Sequence, residues 1–203
     1  MRENNNGILD CTMNHLTLHA PFLENLGLYN GKLGIIIVLY QYAHIVSNKI
    51  YEEIANNLLE DTLSHLPSSM PIGLADGICG IGWGICHLLE NHFVEGEANE
   101  ILQEIDNKIL EFNPLRIIDL SLETGLEGIA TYLSKRDKLL DYTNPYSEEY
   151  RKNVKSRIEY DCDRDIEHFI NAQKAIHITL ENNWYQLGLN NGCAGKAWLL
   201  MKK

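Results

Sequence analysis

Gly73-Leu-Ala-Asp-Gly77-Ile-Cys-Gly80-Ile-Gly-Trp-Gly-Ile-Cys86 is the stretch whose reading decides the fold. Its first eight residues recur three more times: Gly27-Leu-Tyr-Asn-Gly31-Lys-Leu-Gly34, Ser121-Leu-Glu-Thr-Gly125-Leu-Glu-Gly128 and Gly188-Leu-Asn-Asn-Gly192-Cys-Ala-Gly195. Eleven of the 15 glycines fall in these four motifs, and each keeps leucine second, at Leu28, Leu74, Leu122 and Leu189. The central glycines are spaced by 46 residues (Gly31 to Gly77), 48 (Gly77 to Gly125) and 67 (Gly125 to Gly192). A period near 47 suits a pair of helices with two turns. The longer third interval predicts an insertion at about 135–180.

Before each central glycine stands Asn30, Asp76, Thr124 or Asn191. All four side chains can accept from the free N–H groups of a first helical turn, which predicts that each caps a helix. The residues after the caps are largely apolar all round, as in Ile35-Ile-Ile-Val-Leu-Tyr40, the mark of an inner helix. Between the motifs, Ile50, Ile54, Leu58, Leu59, Leu63 and Leu66, and then Ile101, Leu102, Ile105, Ile109 and Phe112, recur at helical spacing and predict outer helices with one wet face. Pro145 and Ser147 announce a further helix, whose stripe from Tyr150 to Leu180 is too long for one average helix and predicts a break near Asp161–Arg164. Lys135–Asp141 reads as a solvated loop.

This alternation predicts an all-α chain of helical hairpins with Gly-rich inner-helix starts, one domain over 1–203, built as an α/α toroid in partial or shortened form. The residues flanking the caps, Tyr29, Asn30, Asp76, Glu123, Thr124, Asn190 and Asn191, would then ring one mouth, the expected peptide-binding site. Asp76 and Glu123 are the candidates for acid–base catalysis there.

Composition bounds the partners. The 203 residues carry 17 basic against 28 acidic side chains, a net charge of −11, so a nucleic-acid or anionic-membrane partner is not expected. The apolar run Leu33–Tyr40 is shorter than the ~20 residues of a membrane span. Met1–Asp10 is polar and unlike a signal peptide, and five cysteines without a Cys-x-x-Cys pair suit a reducing compartment. The expectation is a soluble, cytoplasmic protein.

The motif G-L-x-x-G-x-x-G, repeated at this interval from about Gly27 to Met201, resembles the lanthionine synthetase C family. The resemblance implies an α/α toroid associated with modification of ribosomally made peptides, including lantibiotic biosynthesis. It also implies one zinc, held by two Cys and one His, activating a peptide Cys thiolate that adds to dehydroalanine or dehydrobutyrine and closes a thioether ring. In the family an adjacent Cys-His pair precedes a central glycine. Here those positions hold Tyr29-Asn30, Ala75-Asp76, Glu123-Thr124 and Asn190-Asn191. No cofactor is therefore expected, and the leading expectation is a zinc-free accessory module that binds a precursor peptide or a peptide-modifying enzyme. Against it stand a zinc-dependent cyclase with a replacement ligand set and, more distantly, a carbohydrate-active toroid. An arc of four hairpins would also leave a side open for a second copy, a homodimer.

Cys79 and Cys193 lie inside two motifs and are the thiols for a replacement metal site, against a plain role as small packed residues. Cys86-His87 is the one adjacent Cys-His pair, but neighbours on a helix point about 100° apart. Cys11, His15 and His19 follow one stripe whose ends are about 12 Å apart, leaving His15 with His19 as a metal pair. Trp83, Trp184 and Trp198 read as core or wall residues.

Overall fold

A computed structural model describes residues 2–139, 145–158, 163–170 and 185–202, with side chains from residue 7 onward. Among them are eight α-helices and no strand: α1 (Arg2–His19), α2 (Lys32–Val46), α3 (Lys49–Ser64), α4 (Ile78–Glu90), α5 (Ala98–Leu110), α6 (Leu126–Arg136), α7 (Glu148–Lys155) and α8 (Cys193–Met201). The class is all-α, and α2, α4, α6 and α8 each open on a glycine motif.

The chain divides into two compact units, Met1–Pro67 with Ile166–Lys203, and Ser68–Asp165. In the first, inner helices α2 and α8 pack side by side, α2 backed by α3 and α8 by α1. In the second, inner helices α4 and α6 pack together, backed by α5 and α7. The last inner helix thus takes its outer partner from the start of the chain.

The helix starts differ from the expected caps. The N-cap is in every case the central glycine, Gly31, Gly77, Gly125 or Gly192, which has no side chain to cap with. Backbone carbonyls do the work instead, always seven residues back. Lys32 donates to Asn25 (2.8 Å), Ile78 to Pro71 (2.8 Å), Leu126 to Asp119 (2.9 Å) and Cys193 to Gln186 (2.8 Å). A second rung joins Leu33 to Leu26, Cys79 to Ile72 and Ala194 to Leu187. The backbone carbonyls of the motif's own loop thereby accept from the orphan donors at the start of each inner helix.

The glycines are needed for space. The central ones have extended backbone that any residue adopts, with φ from −112° to −124°. A Cβ on Gly77, however, would stand 2.4 Å from the Pro71 carbonyl oxygen, and one on Gly192 2.3 Å from that of Gly188. Both neighbours are backbone, which has no room to yield.

Two further expectations need correction. Lys135 and Arg136 are not in a solvated loop: they form the last turn of α6 and are buried. Lys135 pairs with Glu90 and lies 5.0 Å over the Trp83 ring. Arg136 pairs with Asp106 of α5 through Nε and Nη2, each 3.3 Å from Oδ2, while the Tyr132 and Tyr146 hydroxyls donate to Oδ1 at 2.5 and 2.9 Å. Acidic partners on neighbouring helices make these cations buriable. The third stripe does start where expected, with Ser147 capping α7 by accepting from Tyr150 N at 3.1 Å, but the helix ends at Lys155, before Asp161. Residues 171–184, with Trp184 and the end of that stripe, lie outside the described residues, as does Cys162. Trp83 and Trp198 are buried, as expected of core residues.

Two glycines of opposite character test this packing. Gly7, in the interior of α1, has nothing within 4 Å of an added Cβ. In denaturant unfolding Gly77→Ala should destabilise by about 3 kcal/mol or more, whereas Gly7→Ala should stabilise by about 0.5–1 kcal/mol. A neutral Gly77→Ala would contradict the crowding around the central glycines.

Candidate functional site

Within each unit two motifs meet edge to edge through a single backbone hydrogen bond at equivalent positions. The third residue of one motif donates to the third residue of the other: Asn190 N–H to the Tyr29 carbonyl (3.0 Å) in the first unit, Ala75 N–H to the Glu123 carbonyl (3.0 Å) in the second. Contact is close because the donating motif begins with glycine. A Cβ on Gly188 would lie 2.4 Å from Tyr29 O, and one on Gly73 2.2 Å from Glu123 O. The accepting third motif begins instead with Ser121.

These seams gather the expected site residues in two groups. Tyr29, Asn30, Asn190 and Asn191 share one, and Asp76, Glu123 and Thr124 share the other. Tyr29 is buried with its ring 5.3 Å from that of Phe169, so it offers its carbonyl rather than an open aromatic face. Asn30, Glu123 and Thr124 are exposed, and Asp76, Asn190 and Asn191 half-buried. Asn191 has left-handed backbone (φ 59°), which asparagine tolerates better than most residues, and its Oδ1 is buried without a hydrogen-bond partner among the described residues.

Asp119, which no motif position singles out, organises the third motif. Its Oδ1 accepts from Ser121 N at 2.8 Å and its Oδ2 from Thr124 Oγ1 at 2.5 Å. Those bonds hold its carboxyl below the usual carboxylate range. Asn25 makes the same turn in the first motif, its Oδ1 accepting from Gly27 N at 2.8 Å. The signal in the sequence is an Asx residue two positions before the motif.

The family's zinc chemistry calls for thiolate and imidazole, and the doublets supply amide, carboxylate, hydroxyl and phenol groups. Cys79 and Cys193 belong to different units and are both buried. Burial pushes the Cys79 thiol well above its ordinary value and that of Cys193 up to about 11, so both are protonated at neutral pH. The doublets therefore lack the thiolate and imidazole donors that the family's zinc would take. Among the described residues no three His, Cys, Asp or Glu side chains gather around a metal-sized space. The rings of His15 and His19 lie 4.3 Å apart on α1, with Cys11 exposed on the same helix.

Cys86 is buried and its thiol raised by desolvation, whereas His87 stacks on Trp83 with centroids 5.3 Å apart. Burial, with repulsion from Lys135, lowers the imidazole to about 3. An unfolded histidine takes up its proton near pH 6.5, well before the folded one does. The stability supplied by neutral His87 is thus complete above pH 6.5 and is lost as pH falls from 6.5 towards 3. Between pH 6.5 and 5 the unfolding free energy should fall with a slope approaching ~1.4 kcal/mol per pH unit, and His87→Phe should flatten it. An unchanged slope would contradict a neutral buried imidazole.

Thiol labelling of the native chain gives a second check. Cys11→Ser should remove one fast-reacting thiol, while Cys79→Ser and Cys193→Ser should leave the fast count unchanged. Loss of a fast thiol on changing Cys79 or Cys193 would return them to the candidates for metal binding.

No curated protein and no solved structure matches the chain. A family model does, that of lanthionine synthetase C-like proteins, over residues 23–203, a span that takes in all four glycine motifs and inner helices α2, α4, α6 and α8. The chain therefore belongs to the lanthionine synthetase C-like family.

Proposed function

We propose that this chain serves the modification of ribosomally made peptides as a binding module, holding a precursor peptide, or the enzyme that carries one, without the family's zinc and without closing thioether rings itself. The observation that carries the reading is the make-up of the four doublets before the central glycines. None contains a thiol or an imidazole, and catalytic zinc takes about three protein ligands. Without the Lewis acid, nothing at these positions would lower the pKa of a peptide thiol and hold it beside its acceptor.

What the doublets do offer suits peptide recognition. Asn30 and half-buried Asn190 carry carboxamides suited to backbone amides, Thr124 can still accept through Oγ1, and Asp76 and Glu123 add negative charge. With a net charge of −11, the chain as a whole favours encounter with a basic peptide. Asp76 and Glu123 would act in binding, which is a different role from acid–base catalysis.

Two measurements test this. Elemental analysis of protein purified without chelator or metal affinity should return far less than one zinc per chain, unchanged in Cys79→Ala and Cys193→Ala. About one zinc per chain, lost in either variant, would restore the cyclase reading. On an array of basic precursor-type peptides, the Asp76→Asn, Glu123→Gln double variant should bind about 3- to 10-fold more weakly, with wild-type binding falling as salt rises. Peptide capture indifferent to both changes would place recognition elsewhere.

A further inference from the structure

Outside the motifs, the second unit has a cavity of about 290 Å3 lined by Asn99, Gln103, Asp106 and Asn107 of α5, Arg136 of α6 and Pro145. That volume lies just under the range of small-molecule sites and has room for a fragment of about ten heavy atoms. Asn99, Gln103 and Asn107 are spaced i, i+4, i+8, which puts three carboxamides along one stripe of α5.

The base of the cavity is built around a buried ion pair. Asp106 is 3% exposed and Arg136 1%, and they neutralise each other. The Asp106 carboxylate takes two phenolic hydroxyls on Oδ1 and two guanidinium N–H groups on Oδ2, which fills its usual capacity of four. Arg136 Nη2 also donates to Asn99 Oδ1 at 3.0 Å, fixing that carboxamide with its Nδ2 as the remaining donor. Gln103 and Asn107 stand exposed at the rim, each with one acceptor oxygen and a two-proton donor. A charged ligand would lose its hydration without finding an uncompensated opposite charge. An uncharged group that both donates and accepts would meet its complement.

We propose that this cavity is a binding site for an uncharged amide, either a peptide unit or a carboxamide side chain, read by Asn99, Gln103 and Asn107 over the Asp106–Arg136 pair. The site lies within one unit and uses none of the motif doublets, so it stands or fails separately from the zinc-free reading.

The test uses the full chain labelled with 15N and two probes, acetamide for a carboxamide side chain and N-acetylglycine methylamide for a peptide unit. Either or both should move the side-chain NH2 resonances of Asn99, Gln103 and Asn107 saturably in the millimolar range, as befits so few atoms. Tighter binding of one probe identifies the source of the amide. The Gln103→Leu, Asn107→Leu double variant changes exposed residues only and should weaken binding about fivefold or more. Acetate and methylammonium, of similar size but charged, should bind about tenfold more weakly than acetamide. Absence of saturable shifts with both amides, equal binding of the charged probes, or full binding by the double variant would overturn the proposal.

Discussion

The first amides of each inner helix have to find acceptors outside the helix, and here they find them in the backbone seven residues back. That requirement folds the motif onto itself so tightly that its fifth residue lies against the backbone of its own loop, where a Cβ would sit within 2.5 Å of carbonyl oxygen or amide nitrogen. Only glycine fits. The same compaction carries the motif's third residue to the edge of the loop, where its N–H or C=O is free to bond the neighbouring motif. Helix start, glycine spacing and motif pairing are consequences of one backbone arrangement, and the inner helices pack along their apolar faces because their starts are pinned side by side.

Function inherits this geometry. The doublets before the central glycines are placed by this backbone, and Tyr29 and Thr124 are further fixed by Phe169 and Asp119. Cys79 and Cys193 sit deeper, two residues and one residue past the glycine, where the helix has already turned them into apolar surroundings. Their neutral thiols behave as small core residues.

Much of the fold is legible in the sequence. Four glycine motifs at near-regular spacing mark the inner helices, and stripes such as Leu102, Ile105 and Ile109 mark the outer ones, because helical burial follows the 3.6-residue period. The caps mislead because Asn30, Asp76, Thr124 and Asn191 have the right chemistry for a task that backbone carbonyls perform, and single-residue preferences carry no trace of a bond seven residues long. Lys135 and Arg136 mislead because charge suggests solvent until the partner is known. Asp106, alone among apolar neighbours on the buried face of α5, is the available hint. The partnering of α1 with α8 joins the two ends of the chain, and local periodicity has no means of reporting it.

Amide hydrogen exchange at Ala75 and Asn190 tests the motif pairing most directly. Each of these N–H groups lies outside any helix, and its sole assigned role is to bond the third residue of the neighbouring motif. Both should exchange as slowly as amides inside α4 and α8, and Gly73→Ala should accelerate Ala75 while leaving Asn190 protected. Exchange of Ala75 and Asn190 in the native chain at the rate of an exposed loop would contradict the pairing.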